Sequence, residues 1–180
     1  DEWINLERLK KEREVVGIYI SAHPLDDYIR EINNFTSTGL SSLNDLSLII
    51  NKDLYVGGII NEVEHLLTKT GNGFAVFSFE DFNDQYQFRI FGEDYLKYKH
   101  LLVENKILRL RISVREGWVN RETGRVGDPR IQFLNMELLD GIIDSSSKKI
   151  TLKIDSTTLN LDEVQKLKKI LSKHKGSKPV

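Results

Sequence analysis

Glu80, Asp81 and Asp84 fall within five residues of one another in "SFEDFNDQ". Clustered carboxylates are a first requirement for general acid-base or metal-assisted chemistry. No histidine and no glycine-rich phosphate cradle accompanies them, so they are expected at a solvated hairpin end. His23 stands before Pro24, with Asp26 and Asp27 following. A metal site needs about three converging ligands, and a hydrogen-bonded turn is the expectation for this stretch. The other histidines, at 65, 100 and 174, form no constellation with it. Neither Ser21 nor Ser78 has the partner spacing of a nucleophile motif, and no Walker or dinucleotide fingerprint occurs. The chain has no cysteine, which excludes disulfides, thiolate metal sites and a cysteine nucleophile. Binding rather than catalysis is therefore expected of these residues, without a cofactor of their own. The side chains suited to it are Lys69, Asn72 and Phe74 in "TKTGNGF", Arg89, the row Arg109, Arg111 and Arg115, and Trp118, which precedes Arg121 and Arg125. Guanidinium and ammonium groups neutralise phosphates, and exposed rings stack on bases for about 1–3 kcal/mol each.

The elements that must position them follow from periodicity. Residues 2 to 20 place Trp3, Leu6, Leu9, Val16 and Ile20 at three- and four-residue spacings, predicting an amphipathic helix with Trp3 at least partly buried. Leu25, Ile29 and Ile32 predict a second short helix ending before Asn33 and Asn34, and "STGLSSLNDL" reads as a linker or helical turn. From Asp53 the period becomes two. "LYVGGIINEVEHLLT" predicts a long strand that Gly57 and Gly58 allow to coil, "KTGNG" a hairpin, "FAVFSFEDF" and "YQFRIFG" two further strands. "EDYLKYKHLLVE" predicts a helix near 93 to 103, and "KILRLRISVREGWV" and "RIQFLNMELLD" predict strands four and five.

Three meandering strands, a helix and two more strands is the chain order of an OB-fold, a five-stranded, partly open barrel. The fold class is thus mainly β with flanking helices: residues 1–52 a helical segment and linker, 53–140 the barrel, and 141–180 an incomplete tail. Alternation puts Ala75, Phe77 and Phe79 of strand two, Tyr86, Phe88 and Ile90 of strand three, and Leu108, Leu110, Ile112 and Val114 of strand four inside. Gln87, Arg89 and Phe91, and Arg109, Arg111, Ser113 and Arg115, then point outward. Two accounts of the arginine row stay open, an anion track or a solvated face balanced by acids on the next strand. Phe74 is either a stacking ring or core, and Trp118 either stacks a base or closes one end of the barrel.

"KEREVVGIYISAHPLDDY", "LYVGGIINEVEHLLTKTGNGFAVFSFEDF", "YQFRIFGEDYLKYKHLL" and "KILRLRISVRE" resemble consecutive pieces of the C-terminal part of the bacterial DNA polymerase III alpha-subunit family. The resemblance covers nearly the whole chain. It rests on a Ser-x-His-Pro-Leu pattern a short linker before a barrel that opens with "GGI" and a "TKxG" turn. It implies a non-catalytic piece of a cytoplasmic replicative polymerase whose OB domain meets single-stranded template DNA. The Mg2+-binding palm of such a polymerase would lie outside this chain. It also implies that 141–180 is the start of a small α/β tail domain, with its first strand and helix in "KITLKIDSTTLNLDEVQKLKKILSKHKG", and partners in the remainder of the alpha subunit and, through that incomplete tail, the clamp-loader tau subunit. The alternative is a spacer module that binds protein and has little DNA affinity.

Charge qualifies both alternatives. Residues 53 to 94 carry eight acids against two lysines or arginines, whereas residues 106 to 130 carry seven basic residues against three acids. Any affinity for DNA is expected to be modest and strongly salt-dependent. Residues 141 to 180 carry nine lysines against four acids, as a solvated helix does. No apolar run approaches the roughly 18 residues of a membrane span, so no membrane partner is expected. The chain starts at Asp1 and closes on "SKHKGSKPV", from which a piece of a longer protein is expected.

Overall fold

The computed structural model describes residues 5–16, 21–119, 124–146 and 161–173. The chain divides into two compact units, Asp1–Gly141 and Ile142–Val180. Five strands in the first unit form one antiparallel sheet: β1 (Asp53–Leu67), β2 (Gly73–Glu80), β3 (Gln85–Phe91), β4 (Ile107–Arg115) and β5 (Arg130–Leu138). Their order is β3-β2-β1-β4-β5. The five predicted strands and the helix between the third and fourth are all present.

β1 holds the sheet together because its two halves face different partners. Asp53 to Ile59 pair with β4, and Ile59 to Leu67 pair with β2. One 15-residue strand can do this only by coiling, and two features allow it. A side chain at Gly58 would put its Cβ 2.3 Å from the Glu80 carbonyl oxygen, so only glycine admits that approach of β2. A register shift between Ile60 and Glu62 then adds the bulge that sharpens the bend. A second shift in the β4–β5 pair lies beside Arg111 and Ile112.

No ladder joins β3 to β5, so the sheet is not closed by hydrogen bonds. Side chains bridge that seam. The Phe133 ring of β5 lies 5.7 Å from Phe88 of β3 and 6.1 Å from Phe77 of β2. The inward sets predicted for β2 and β4 are all buried, as are Phe88 and Ile90 of β3, while Tyr86 is half-buried. Ser113, predicted to face outward, is fully buried, its hydroxyl engaged by the Asp53 carboxylate and the Lys52 carbonyl.

Two helices after the first differ from the sequence expectation in their boundaries. α1 (Asn5–Val16) buries Leu9 but leaves Val15 and Val16 exposed, and Trp3 and Ile20 lie outside the described residues. α2 (Ile29–Phe35) runs through Asn33 and Asn34 instead of stopping before them. The Asn34 amide donates back to the Arg30 carbonyl, so asparagine supports the last turn, and extended Thr36 ends it. α3 (Gly92–Tyr98) is shorter than 93 to 103, because the chain beyond Lys99 breaks into tight turns and passes through Asn105 at φ 64° to enter β4. Leu102 still reaches the core from that turn, and the Tyr98 hydroxyl donates to the Leu134 carbonyl, which ties α3 to β5. The linker forms two short 3-10 turns, Leu40–Asn44 and Leu46–Ile49, that insert Leu40 and Leu43 into the core.

The second unit contains α4 (Ile142–Ser146) and α5 (Leu161–Lys173). The strand that the family resemblance implies at "KITLKID" lies outside the described residues. Among the described residues no helix is long and apolar enough to cross a membrane.

Candidate nucleic-acid interface

The eight candidate residues fall into three groups. The first surrounds the β1–β2 turn. Thr68 N–H donates to the Asn72 carbonyl at 2.8 Å and Gly71 N–H to the Thr68 carbonyl at 2.9 Å, with Gly71 at φ 83° where other residues are strained. Asn72 N–H donates to Thr68 Oγ1, and the Asn72 amide to Thr70 Oγ1. These bonds fix the turn by themselves, so the exposed Lys69 has no part in holding it.

Immediately after the turn, register builds three outward rows across β1, β2 and β3. They are Leu66–Phe74–Phe91, then Glu64–Val76–Arg89, then Glu62–Ser78–Gln87. The Phe74 and Phe91 rings stack at 5.0 Å and an interplanar angle of 13°, and Phe91 is 52% exposed. Phe74 is therefore a surface residue supported by a neighbour. Phe91 was placed on the outer face by alternation but was not a candidate. Its signal lay in the pairing: the residue opposite Phe74 shares its role. Arg89 is exposed in the adjoining row, and the acids Glu62, Glu64 and Glu93 are exposed in the same region.

The second group is engaged within the protein. Arg109 donates to Glu137 Oε1 at 2.7 Å and to the Phe35 carbonyl at 3.3 Å, with its guanidinium 5.0 Å from the Tyr55 ring centre. Arg111 donates to Asp53 Oδ2 at 3.0 Å and also lies over Tyr55. The arginine row is thus balanced by acids of the flanking strands. The N-terminal segment covers this part of the sheet: a Cβ on Gly57 would meet the Thr36 methyl at 2.9 Å, and Ser37 exchanges hydrogen bonds with the Tyr55 backbone. A phosphate track from Arg89 on β3 to Arg111 on β4 is not continuous, because β2 and β1 lie between them.

The third group lies on the loop from β4 to β5. Trp118 is 75% exposed, with the Arg130 guanidinium 4.2 Å from its ring centre. Val119 and Val126 bridge the loop, and Arg115, half-buried, sits across the ladder from Arg130. The ring does not close the barrel end. Arg121 lies outside the described residues.

Two expected turn sites are built differently from one another. His23 Nδ1 accepts from Leu25 N–H, the His23 backbone N–H donates to Asp26 Oδ2, and the His23 ring packs on Phe82 with Nε2 3.8 Å from Glu80. That is a structured turn, as expected. Asp81, in contrast, is not solvated: it is 7% exposed and accepts N–H bonds from Leu40, Asn83 and Asp84. These three donors draw the chain over the carboxylate, so the hairpin end expected to be solvated is closed at Asp81. Among the described residues, no three histidine or acidic side chains are arranged to hold a metal ion.

The Asp53 carboxyl is held below its ordinary value of 3.8, first by the Ser113 hydroxyl and then by Arg111. A depressed carboxyl contributes stability that is present above the unfolded value and is lost as pH falls through the folded one. In an NMR titration the Asp53 midpoint should lie below 3.8 and rise in Arg111→Gln. An unchanged midpoint in that variant would show that the arginine is not its partner in solution.

No protein-family model matches the chain. A solved structure described as an aspartyl-tRNA synthetase from Leishmania major Friedlin aligns with 72% of this chain and 26% of that one, at a TM-score of 0.38 and 11% identity. That likeness is too slight to carry an argument. Curated relatives named DNA polymerase III subunit alpha are more informative. The one from Saccharopolyspora erythraea is 26% identical over 100% of this chain, that from Borreliella burgdorferi 33% over 77%, and that from Bacillus subtilis 26% over 92%. The chain is thus a relative of the bacterial DNA polymerase III alpha subunits, and it spans 13–15% of the length of these three.

Proposed function

We propose that the chain is a non-catalytic, C-terminal part of a cytoplasmic replicative polymerase, and that its barrel holds single-stranded template DNA without reading its sequence. The observation that carries this is the parallel Phe74–Phe91 pair on the outer face of β2 and β3, with Lys69 on the turn beside it and Arg89 in the next row. Bases stack on such rings whatever their identity, while the cations meet phosphates. Trp118 backed by Arg130 offers a second ring with a cation. On the same reading, the catalytic palm with its Mg2+ lies outside this chain, and the α5 region belongs to a tail that contacts the clamp-loader tau subunit.

The exposed acids Glu62, Glu64 and Glu93 favour a second reading, a protein-binding module, because they repel phosphate around the ring pair. Fluorescence anisotropy with labelled oligonucleotide across a salt series separates the two. Each phosphate contact to a single strand contributes about 0.7 to the slope of log K against log salt. Lys69→Ala with Arg89→Ala should therefore flatten the slope by about 1.4 and weaken all sequences alike. Phe74→Ala should weaken binding by about 1–3 kcal/mol and leave the slope unchanged, because stacking releases no counterions. If the wild-type chain has no measurable affinity at low salt, the protein-binding module is the correct reading.

A further inference from the structure

A cleft of about 420 Å³ opens beside the ring pair, between the β1–β2 turn and the corner where β3 enters α3. One wall is Thr68, Asn72 and Gly73, and the other is Phe91, Gly92 and Leu96. We infer that this cleft receives one nucleobase, unstacked from the strand whose neighbouring base lies on Phe74 and Phe91. The inference rests on the single-strand reading above and adds a pocket to it.

The cleft is preformed. The turn wall is held by the Thr68–Asn72 bonds, and Gly73 packs so closely on Tyr95 of α3 that a Cβ there would lie 2.6 Å from the ring. Both walls are therefore fixed to each other through α3, and a ligand entering them meets little ordering cost. Its size lies at the small end of the roughly 300–1,000 Å³ typical of small-molecule clefts, which suits one planar ring. The opposing wall presents two large apolar side chains to solvent, Phe91 at 52% and Leu96 at 62% exposure. Their exposure in one concave spot is what a buried aromatic ligand would relieve.

The polar groups suit a base rather than an aliphatic side chain. The Asn72 amide donates to Thr70 Oγ1 at 3.3 Å, and its Oδ1 accepts no hydrogen bond among the described residues. An amide presents both donor and acceptor, so it can meet the edge of any base, in keeping with sequence-indifferent binding. Lys69 stands on the turn that forms the first wall, where it meets the phosphate of the inserted nucleotide. Glu93 follows Gly92 on the other side, and its charge directs that phosphate toward Lys69.

The test uses the whole chain and an oligonucleotide of about eight nucleotides, within the site sizes of OB domains. A single abasic position is moved along the strand and affinity is read by anisotropy. Two positions should be sensitive, each losing about fivefold or more, as loss of one stacked base requires. Leu96→Ala should remove the sensitivity at one of them and Phe74→Ala at the other, with the salt slope unchanged by either. Leu96 is exposed on a helix and alanine is a good helix former, so the melting temperature should stay at the wild-type value. Leu96→Gln, which keeps the length but not the apolar wall, should behave as Leu96→Ala. If Leu96 variants bind intact and abasic strands as the wild type does while Phe74→Ala still weakens binding, the stacking surface stands and the cleft is not a base pocket. If the wild type binds no oligonucleotide at low salt, the single-strand reading fails and the pocket with it.

Discussion

Phe77→Ala should destabilise the first unit by about 3–5 kcal/mol, the usual cost of removing a fully buried aromatic side chain. The ring is 1% exposed and touches Phe79, Phe88 and Phe133 at centroid distances of 6.4, 5.4 and 6.1 Å. Elsewhere in the sheet a lost side chain leaves the ladders in place. At the seam between β3 and β5 there is no ladder, so the Phe77–Phe88–Phe133 cluster is what joins the two edges. The variant should therefore melt roughly 10 °C or more below wild type. Its β5 amides should also exchange faster than those between β1 and β2. Phe91→Ala, which removes an exposed ring, should shift the melting point far less. Should Phe77→Ala melt within about 1 kcal/mol of wild type, side-chain closure of the seam would be refuted.

That seam also shows what could be read from the sequence and what could not. Alternation in "ILRLRISVR" identified the inward residues of β4, because a sheet with one buried face writes period two into its sequence. The same rule placed Phe77 and Phe79 in the core and Phe91 outside. It could not say that Phe91 stands opposite Phe74, since that register is set by the turn between Glu80 and Gln85. Nor could it identify the partners of Arg109 and Arg111. Glu137 and Asp53 are 28 and 58 residues away, and only the pairing of β4 with β5 and β1 brings them in reach.

The candidate site was legible to a similar degree. Lys69 and Phe74 stood out because a two-sided turn needs glycine and asparagine but no lysine and no ring. The covering of the β1–β4 face by Phe35, Thr36 and Ser37 is tertiary and leaves no local mark, so Arg109 and Arg111 looked as available as Arg89. The resemblance in the "SAHPL" and "GGI" stretches located the fold well, and by itself it could not separate an engaged arginine from an exposed one.

Asp81→Ala should cost about 2–4 kcal/mol, a large loss for a single polar side chain. The carboxylate takes Leu40 N–H on Oδ2 at 2.6 Å and Asn83 and Asp84 N–H on Oδ1 at 2.8 Å each. Hydrogen bonds to a charged acceptor contribute about 1.5–3 kcal/mol apiece, and a buried donor left unpaired costs about 1–3 kcal/mol. Water can replace the acceptor for exposed Asn83, but not for Leu40, which is 1% exposed. The cost therefore concentrates where the 3-10 turn at Leu40 meets the β2–β3 hairpin, and that junction seats Leu40 and Leu43 in the core. Asp81→Asn should fall between wild type and alanine: one carbonyl oxygen can still hold the hairpin, while the amide nitrogen confronts the Leu40 N–H with a donor. Thermal melts of the three proteins, with hydrogen exchange at the Leu40 amide, give the order. A wild-type melting point for Asp81→Ala, with the Leu40 amide still protected, would refute the clamp and return Asp81 to the solvated hairpin end that its sequence context first implied.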